Sequence, residues 1–266
     1  PSRSPSRDSE PSGTRPLSSS ANAAGTDIAG YHQLSLDEQL AIARNGTAYF
    51  VQHLARVSDD DLAGSSLLPD WSRKHLVAHV GYNAAALCNL MTWAATGYET
   101  PMYSSPAQRN EEIDEGSTLG AQALRNLVDH TAARLDEAWR NLPTEKWDAQ
   151  VKTIQGRTVP ATETAWMRTR EVWIHTIDLG AGGSFADLPE AVLIDLFDDI
   201  VGAWGRKGSG ADLRLITPVG ITDVDRHFTG DRIEVRGKLS AVVGWMTGRT
   251  VDCVRTSTEV TAPHWL

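Results

Sequence analysis

The sequence predicts an α+β protein in which a helical bundle carries a metal site and a small mixed module follows it. Most of the chain shows apolar side chains at helical spacing, whereas its last part alternates between short strand-like and helical segments. Two potential ligands four residues apart, Glu171 and His175, share one helical face. We expect a disordered tail over 1–30, a bundle over 31–205 and a small α+β domain over 206–266.

The bulk composition is that of a globular protein in a reducing compartment. The chain has 266 residues, of which 41% are hydrophobic and 22% charged, and its formal net charge is −9. This acidic balance argues against partners such as nucleic acid or an anionic membrane surface, and no apolar run is long enough for a membrane span. The two cysteines form no paired motif and no secretory signal is visible, so we expect a cytoplasmic protein. A monomer is compatible with these properties.

Two helices are predicted in the first part of the chain. Ser35 and Glu38 form a capping box, and apolar residues at helical spacing extend the first helix over about 36–57. Ser72 is predicted to cap the second helix, which should end near Gly97.

The middle of the chain predicts three further helices and one hairpin. The helices cover about 118–141, 162–179 and 189–205, each with an apolar stripe at helical spacing. Residues 148–160 change to β-branched side chains on either side of a Gln-Gly pair, which predicts a short hairpin.

Beyond residue 205 the pattern changes to that of a small α+β module. A Gly-Ser-Gly linker is followed by predicted strands at Leu213–Thr217 and 232–236. A helix is predicted at Leu239–Met246 and a last strand at 251–254.

Two predicted helices carry side chains that can bind a metal. Glu171 and His175 lie one turn apart, and the second helix carries His75 and His79 at the same spacing. If these helices meet in the bundle core, His79, Glu171 and His175 supply two imidazoles and one carboxylate, the ligand pattern of catalytic zinc. We take His75 as a polar residue near the helix start. The spacing alone leaves open that His79 is a structural core histidine and that Glu171 is exposed.

Other polar residues have simpler interpretations. Asp178 could support His175 as a hydrogen-bond partner, but a carboxylate at the helix end is the interpretation we favour. Arg249 follows the last predicted helix. A basic residue at a helix C-terminus interacts favourably with the helix dipole, and this alone favours a surface position. Cys88 and Cys253 have no neighbouring base in the sequence, so we expect buried small side chains and not nucleophiles.

Two strings, 70–79 and 168–179, resemble the ligand helices of the DinB-like metal-binding four-helix bundles. The second string has glutamate in the middle ligand position followed by Asp-Leu, and with the Gly-Trp-Met-Thr-Gly-Arg string at 244–249 it resembles the mycothiol-dependent maleylpyruvate isomerase family. The resemblance covers about 31–255.

The resemblance implies an isomerase of aromatic catabolism (gentisate degradation) that converts maleylpyruvate to fumarylpyruvate. It implies zinc at His79, Glu171 and His175, with mycothiol as thiol cofactor and a small dicarboxylate as substrate. Zinc would favour the thiolate, which would add to the double bond, permit rotation and then leave. A dianionic substrate also needs a local cation, for which Arg249 is the candidate catalytic residue and Arg168 its rival.

Two other functions remain open at this point. A thiol S-transferase would use the same metal ligands but would consume mycothiol by conjugating it to an electrophile. A metal-binding or sensor protein without enzymatic activity would show no thiol-dependent turnover.

Overall fold

The structure, a computed structural model, describes residues 29–250 and 253–265 and shows helices together with two small sheets. In chain order the helices are α1 (Leu36–Leu54), α2 (Arg73–Thr96), α3 (Pro106–Ser117), α4 (Ala121–Asn141), α5 (Glu163–Asp178), α6 (Glu190–Lys207) and α7 (Leu239–Met246). The strands are β1 (Gln150–Lys152), β2 (Thr158–Pro160), β3 (Leu213–Thr217), β4 (Gly220–Asp223), β5 (Ile233–Arg236) and β6 (Arg255–Thr256). The predicted α+β class is confirmed.

Helices α1, α2, α4 and α5 form the bundle. Helix α2 packs against α4 and α5, and α1 packs against α5 and α4, so the four helices enclose a common core. Phe50, Leu76, Val128 and Val172, one from each helix, are fully buried in it. Burying each such side chain contributes roughly 1.5–3 kcal/mol to folding before the entropy cost.

The predicted ends of the first two helices are largely as expected. Ser35 accepts a hydrogen bond from the Glu38 N–H at the start of α1, and α2 ends at Gly97, which has a φ of 79°. Helix α1 stops at Leu54 and does not reach residue 57. Arg125 of α4 donates to the carbonyl oxygens of Leu54 and Val57, which satisfies acceptors that a longer helix would have used.

The third predicted helix is present as α4, but it begins later than predicted. Helix α3, which precedes it, was not predicted. The prediction began at 118, whereas α4 begins at Ala121. Helix α3 buries only Ile113 and Gly116 along its length, so it has no apolar stripe from which a helix could be predicted. Its start is nevertheless marked in the sequence, because Ser105 caps it and a proline follows directly.

The small module after α6 is a sheet with strand order β4-β3-β5-β6, and α7 packs against β3 and α6. Strand β3 pairs in parallel with β5, and the other neighbours pair antiparallel. The edge strand β4 was not predicted, since its exposed residues, such as Ile221, do not alternate between buried and solvent-facing. The predicted hairpin at 148–160 is present as β1 and β2.

The last predicted strand needs correction. Of 251–254, the first two residues lie outside the described part of the chain, and Cys253 and Val254 are not in a strand. Cys253 has a φ of 65° and is exposed, so the expectation that it is a buried small side chain was wrong. The positive φ breaks the extended backbone, and pairing begins only at β6.

The predicted domain boundaries near residues 30 and 205 remain predictions. The tail over 1–30 falls almost wholly outside the described residues, and the boundary near 205 falls in the last turn of α6. One hydrophobic core extends from the bundle through α6 to β3 and α7. Among the described helices, none combines the length and hydrophobicity that crossing a bilayer would require.

Candidate metal centre

The structure brings His79, Glu171 and His175 together where α2 packs against α5. One possible ligand atom from each residue lies within 4.8 Å of the others. The Nε2 atoms of His79 and His175 lie 2.8 Å and 3.1 Å from the same Glu171 oxygen. The interpretation in which Glu171 is exposed on a solvated face is therefore wrong.

The helical geometry explains why these side chains converge. Glu171 and His175 project one above the other from α5, and His79 projects from α2 towards them. The His79 side chain is 6% exposed, whereas Glu171 keeps 26% of its side chain accessible. A cluster that is enclosed by helices yet open on one side can hold a cation and still admit a further ligand.

The charges within the cluster are strongly coupled. Burial lowers the pKa of His79 despite the neighbouring Glu171. Burial would raise the pKa of Glu171, but the two histidines outweigh it and hold that pKa well below its ordinary value. Burial would lower the pKa of His175, yet hydrogen bonds to Asp178 and Glu171 raise it to about 9. The carboxylate is thus ionised, and the two histidines differ, because the pKa of His79 is lowered and that of His175 is raised.

Asp178 fixes the orientation of His175. Its Oδ2 lies 2.9 Å from His175 Nδ1, and its side chain is completely buried. This carboxylate holds the proton on Nδ1, so Nε2 is the nitrogen that a cation would bind, after displacing the proton that the raised pKa keeps there near pH 7. Asp178 does end α5, but the helix-end interpretation we favoured misses its contact with His175.

The donor set fits a divalent cation such as zinc. It offers two imidazole Nε2 atoms and one ionised carboxylate that converge on one point, and zinc commonly binds these groups in catalytic sites. The Nδ1 atom of His175 is held by a carboxylate, as is usual for histidine ligands.

A cavity of about 590 Å³ opens onto this cluster, and all three candidate ligands line it. Its apolar walls include Leu68, Trp71, Met102, Ile154, Ile174 and Trp265. Three arginines, Arg109, Arg170 and Arg249, also line the cavity. Apolar walls with a few placed charges are typical of a site for a small anionic ligand.

Arg249 reaches the site from the segment after α7. Its Nε and Nη2 atoms donate to the two oxygens of Asp178 at 2.8 Å and 2.9 Å, and its Nη1 donates to the Thr247 carbonyl. One N–H on Nη1 and one on Nη2 remain beyond these bonds. The predicted surface position of Arg249 is therefore wrong. Its role towards a substrate stays a prediction.

The remaining candidate residues lie outside the cluster. His75 binds Ser72 at the start of α2, as expected of a polar residue near the helix start. Arg168 is 1% exposed and donates to the Val80 carbonyl and to Asn83, so it is buried behind the cavity wall. Cys88 is buried, and burial raises the pKa of its thiol, which fits our expectation that it is no nucleophile.

Arg109 of α3 is a site residue that sequence reasoning missed. Its Nη2 lies 3.3 Å from His79 Nδ1, and it lines the cavity together with Tyr103. The start of α3 was visible in the sequence as a Ser-Pro pair, but a polar helix gives no sign of which neighbour it will approach.

Comparisons with known proteins agree with this geometry. The family model described as "Mycothiol maleylpyruvate isomerase N-terminal domain" matches residues 43–180, which include all three candidate ligands. A crystal structure of the mycothiol-dependent maleylpyruvate isomerase is 47% identical, with a TM-score of 0.86, over 90% of this chain and 100% of that chain. A histidine-to-alanine mutant of that isomerase gives the same values. No curated protein sequence gives a significant match.

Proposed function

Since this chain belongs to the mycothiol maleylpyruvate isomerase family, we propose that it is a mycothiol-dependent isomerase that converts maleylpyruvate to fumarylpyruvate, a cis–trans step of gentisate degradation. The observation that carries the proposal is the convergence of His79, Glu171 and His175 at a cavity that also contains arginines. We place the reaction in the cytoplasm, where low-molecular-weight thiols are kept reduced.

In this proposal His79, Glu171 and His175 hold one zinc ion. When bound, zinc acts as a Lewis acid that keeps the mycothiol sulfur as a thiolate near neutral pH, which supplies the nucleophile for reversible addition to the double bond. Asp178 holds His175 in the tautomer that the ion requires. Glu171 contributes the single negative charge of the ligand set.

The protein's further contribution is to bind and orient the substrate. Maleylpyruvate carries two carboxylates, and a protein with a net charge of −9 must bind it through local cations. Arg249 is our candidate for a carboxylate or for the enolate charge that develops, because two of its N–H groups remain after it binds Asp178 and the Thr247 carbonyl. The cavity volume of about 590 Å³ leaves room for rotation about a carbon–carbon bond.

The described part of the chain places no cysteine at this site. Neither Cys88 nor Cys253 lines the cavity. A thiol from outside the chain therefore supports the proposal better than covalent catalysis by a cysteine.

The test combines metal analysis with a thiol-dependence assay. We expect about one zinc per chain in the wild-type protein and far less in Glu171→Ala, because removing the only carboxylate ligand weakens the site. Maleylpyruvate should lose its absorbance only when mycothiol is present, without net consumption of thiol. The variant Cys88→Ser should turn over as the wild type does.

Other results would contradict the proposal in distinct ways. Stoichiometric loss of thiol would indicate an S-transferase. Zinc binding without any thiol-dependent turnover would indicate a metal-binding protein without this activity. Turnover in the absence of thiol would exclude the mycothiol mechanism.

A further inference from the structure

We propose that Arg109 is a second anion-binding residue of the cavity and takes one carboxylate of a dianionic substrate. The inference rests on the proposed function for the substrate class, since it assigns a role within the same site. It gives helix α3, which sequence reasoning missed, a part in substrate recognition.

The charges of the three cavity arginines are not equally available. Arg170 lies 3.4 Å from Asp199 and stacks over the Trp166 ring. Arg249 is paired with Asp178. Arg109, by contrast, forms no ion pair with any carboxylate in the described part of the chain. Its positive charge is therefore the least neutralised of the three.

The hydrogen-bond partners of Arg109 are uncharged, so they do not neutralise its positive charge. Its Nη1 donates to the Asn110 side chain at 3.2 Å, and Tyr103 shares a further hydrogen bond with it. Burial raises the pKa of Tyr103 well above its ordinary value, so this phenol stays protonated and brings no negative charge. An incoming carboxylate would therefore meet a guanidinium that forms no ion pair with any carboxylate of the described residues.

The hydrogen bond between Arg109 and His79 can form in only one tautomer of the His79 imidazole. An arginine N–H can bond to His79 Nδ1 only if that nitrogen carries a lone pair, and the ring proton then lies on Nε2, beside Glu171. A cation bound at Nε2 requires the proton on Nδ1 instead. Two N–H groups would then face each other, and the Arg109 guanidinium, which already lines the cavity, would exchange this contact for an anionic ligand.

The positions of Arg109 and Arg249 suit a substrate with two carboxylates. Arg109 lies beside His79, whereas Arg249 approaches the other histidine, His175, through Asp178. A carboxylate can bind a guanidinium through two parallel hydrogen bonds, which lysine cannot offer. Mycothiol has no carboxylate, so a residue that selects for anions should act on the substrate and not on the thiol.

The experiment measures the binding of maleate, a cis-enedioate without the ketone, to the zinc-loaded protein by calorimetry in the absence of thiol. We expect Arg109→Gln to weaken maleate binding about tenfold or more. Arg170→Gln is the matched control, since this cavity arginine already has a carboxylate partner, and it should change the affinity less than about threefold. Zinc content should stay the same in both variants. In turnover, Arg109→Gln should raise the KM for maleylpyruvate about tenfold and leave the KM for mycothiol unchanged.

Further results separate the possible roles. Arg109→Lys should recover part of the affinity, because the charge is kept and only the bidentate geometry is lost. Wild-type affinity for maleate in Arg109→Gln would overturn the inference, and so would a loss of zinc from that variant. If the wild-type protein binds maleate through Arg109 but does not isomerise maleylpyruvate, the proposed function fails while the anion-binding role stands.

Discussion

Asp178 is a single carboxylate through which the C-terminal module reaches the candidate ligand cluster. It is completely buried, and it binds both His175 and Arg249 at 2.8–2.9 Å. Burial would raise the pKa of Asp178, but His175 and Arg249 outweigh it and lower that pKa. Removing one partner from such a buried ionic group typically costs about 3–5 kcal/mol. A change at Arg249 can therefore act on the substrate directly or on the cluster through Asp178.

Arg249→Lys separates these two effects. If Arg249 binds a substrate carboxylate or the developing enolate, the variant should lose about a hundredfold in kcat/KM and keep its zinc. If Arg249 acts only by holding Asp178 and His175, zinc affinity should fall together with the rate. The measurements are steady-state kinetics with saturating mycothiol and zinc content after dialysis. Near wild-type kcat/KM would remove Arg249 from the reaction.

The elements that the sequence predicted well are those that bury a continuous face. Helices α2 and α5 bury most of their residues, so both were predicted as helices, and the one-turn spacing of Glu171 and His175 was evident before the fold was known. That His79 would meet them needed a tertiary contact, which the family resemblance supplied. Helix α3 and strand β4 are mostly exposed and gave no periodic signal, and for that reason Arg109 was missed.

The close approach of α1 to the ligand helix α5 depends on Gly46. A Cβ atom at this position would lie 2.5–2.7 Å from the side chains of Trp173 and Val172. We expect Gly46→Ala to destabilise the protein by about 1–3 kcal/mol and to lower zinc affinity, because α5 would have to shift.

The matched control is Gly205→Ala in α6, where a Cβ would meet nothing within 4 Å. It should be neutral, or stabilise by up to about 1 kcal/mol through higher helix propensity. Chemical unfolding of both variants decides the matter, and equal stability would contradict the packing argument.

On the scale of the whole molecule, the short turn at Tyr31–Gln33 ties the start of the described chain to the bundle and to α6. Tyr31 is buried and contacts the Trp166 ring, while His32 lies between Glu163 of α5 and Asp195 of α6. The anchor therefore joins the helix that carries two candidate ligands to the helix that leads into the C-terminal module. It adds a charge-dependent contact of the exposed His32 to the apolar packing of the buried Tyr31.

This anchor should make stability depend on pH in a defined direction. The hydrogen bond to Glu163 raises the pKa of His32 to about 9, despite partial burial, and Asp195 adds to the effect. Because the folded-state pKa lies above the unfolded value of about 6.5, the stabilisation is complete below that pH and is lost as pH rises through about 9.

The substitution His32→Gln should thus lower the free energy of unfolding more at about pH 6 than at about pH 9.5. The difference should stay below about 1 kcal/mol, since half of the His32 side chain is exposed. Urea unfolding at the two pH values tests this, with the exposed His227→Gln as control. An equal loss at both pH values would mean that the His32 side chain stabilises the protein through its ring contacts to Tyr31 and Trp166 and not through its charge.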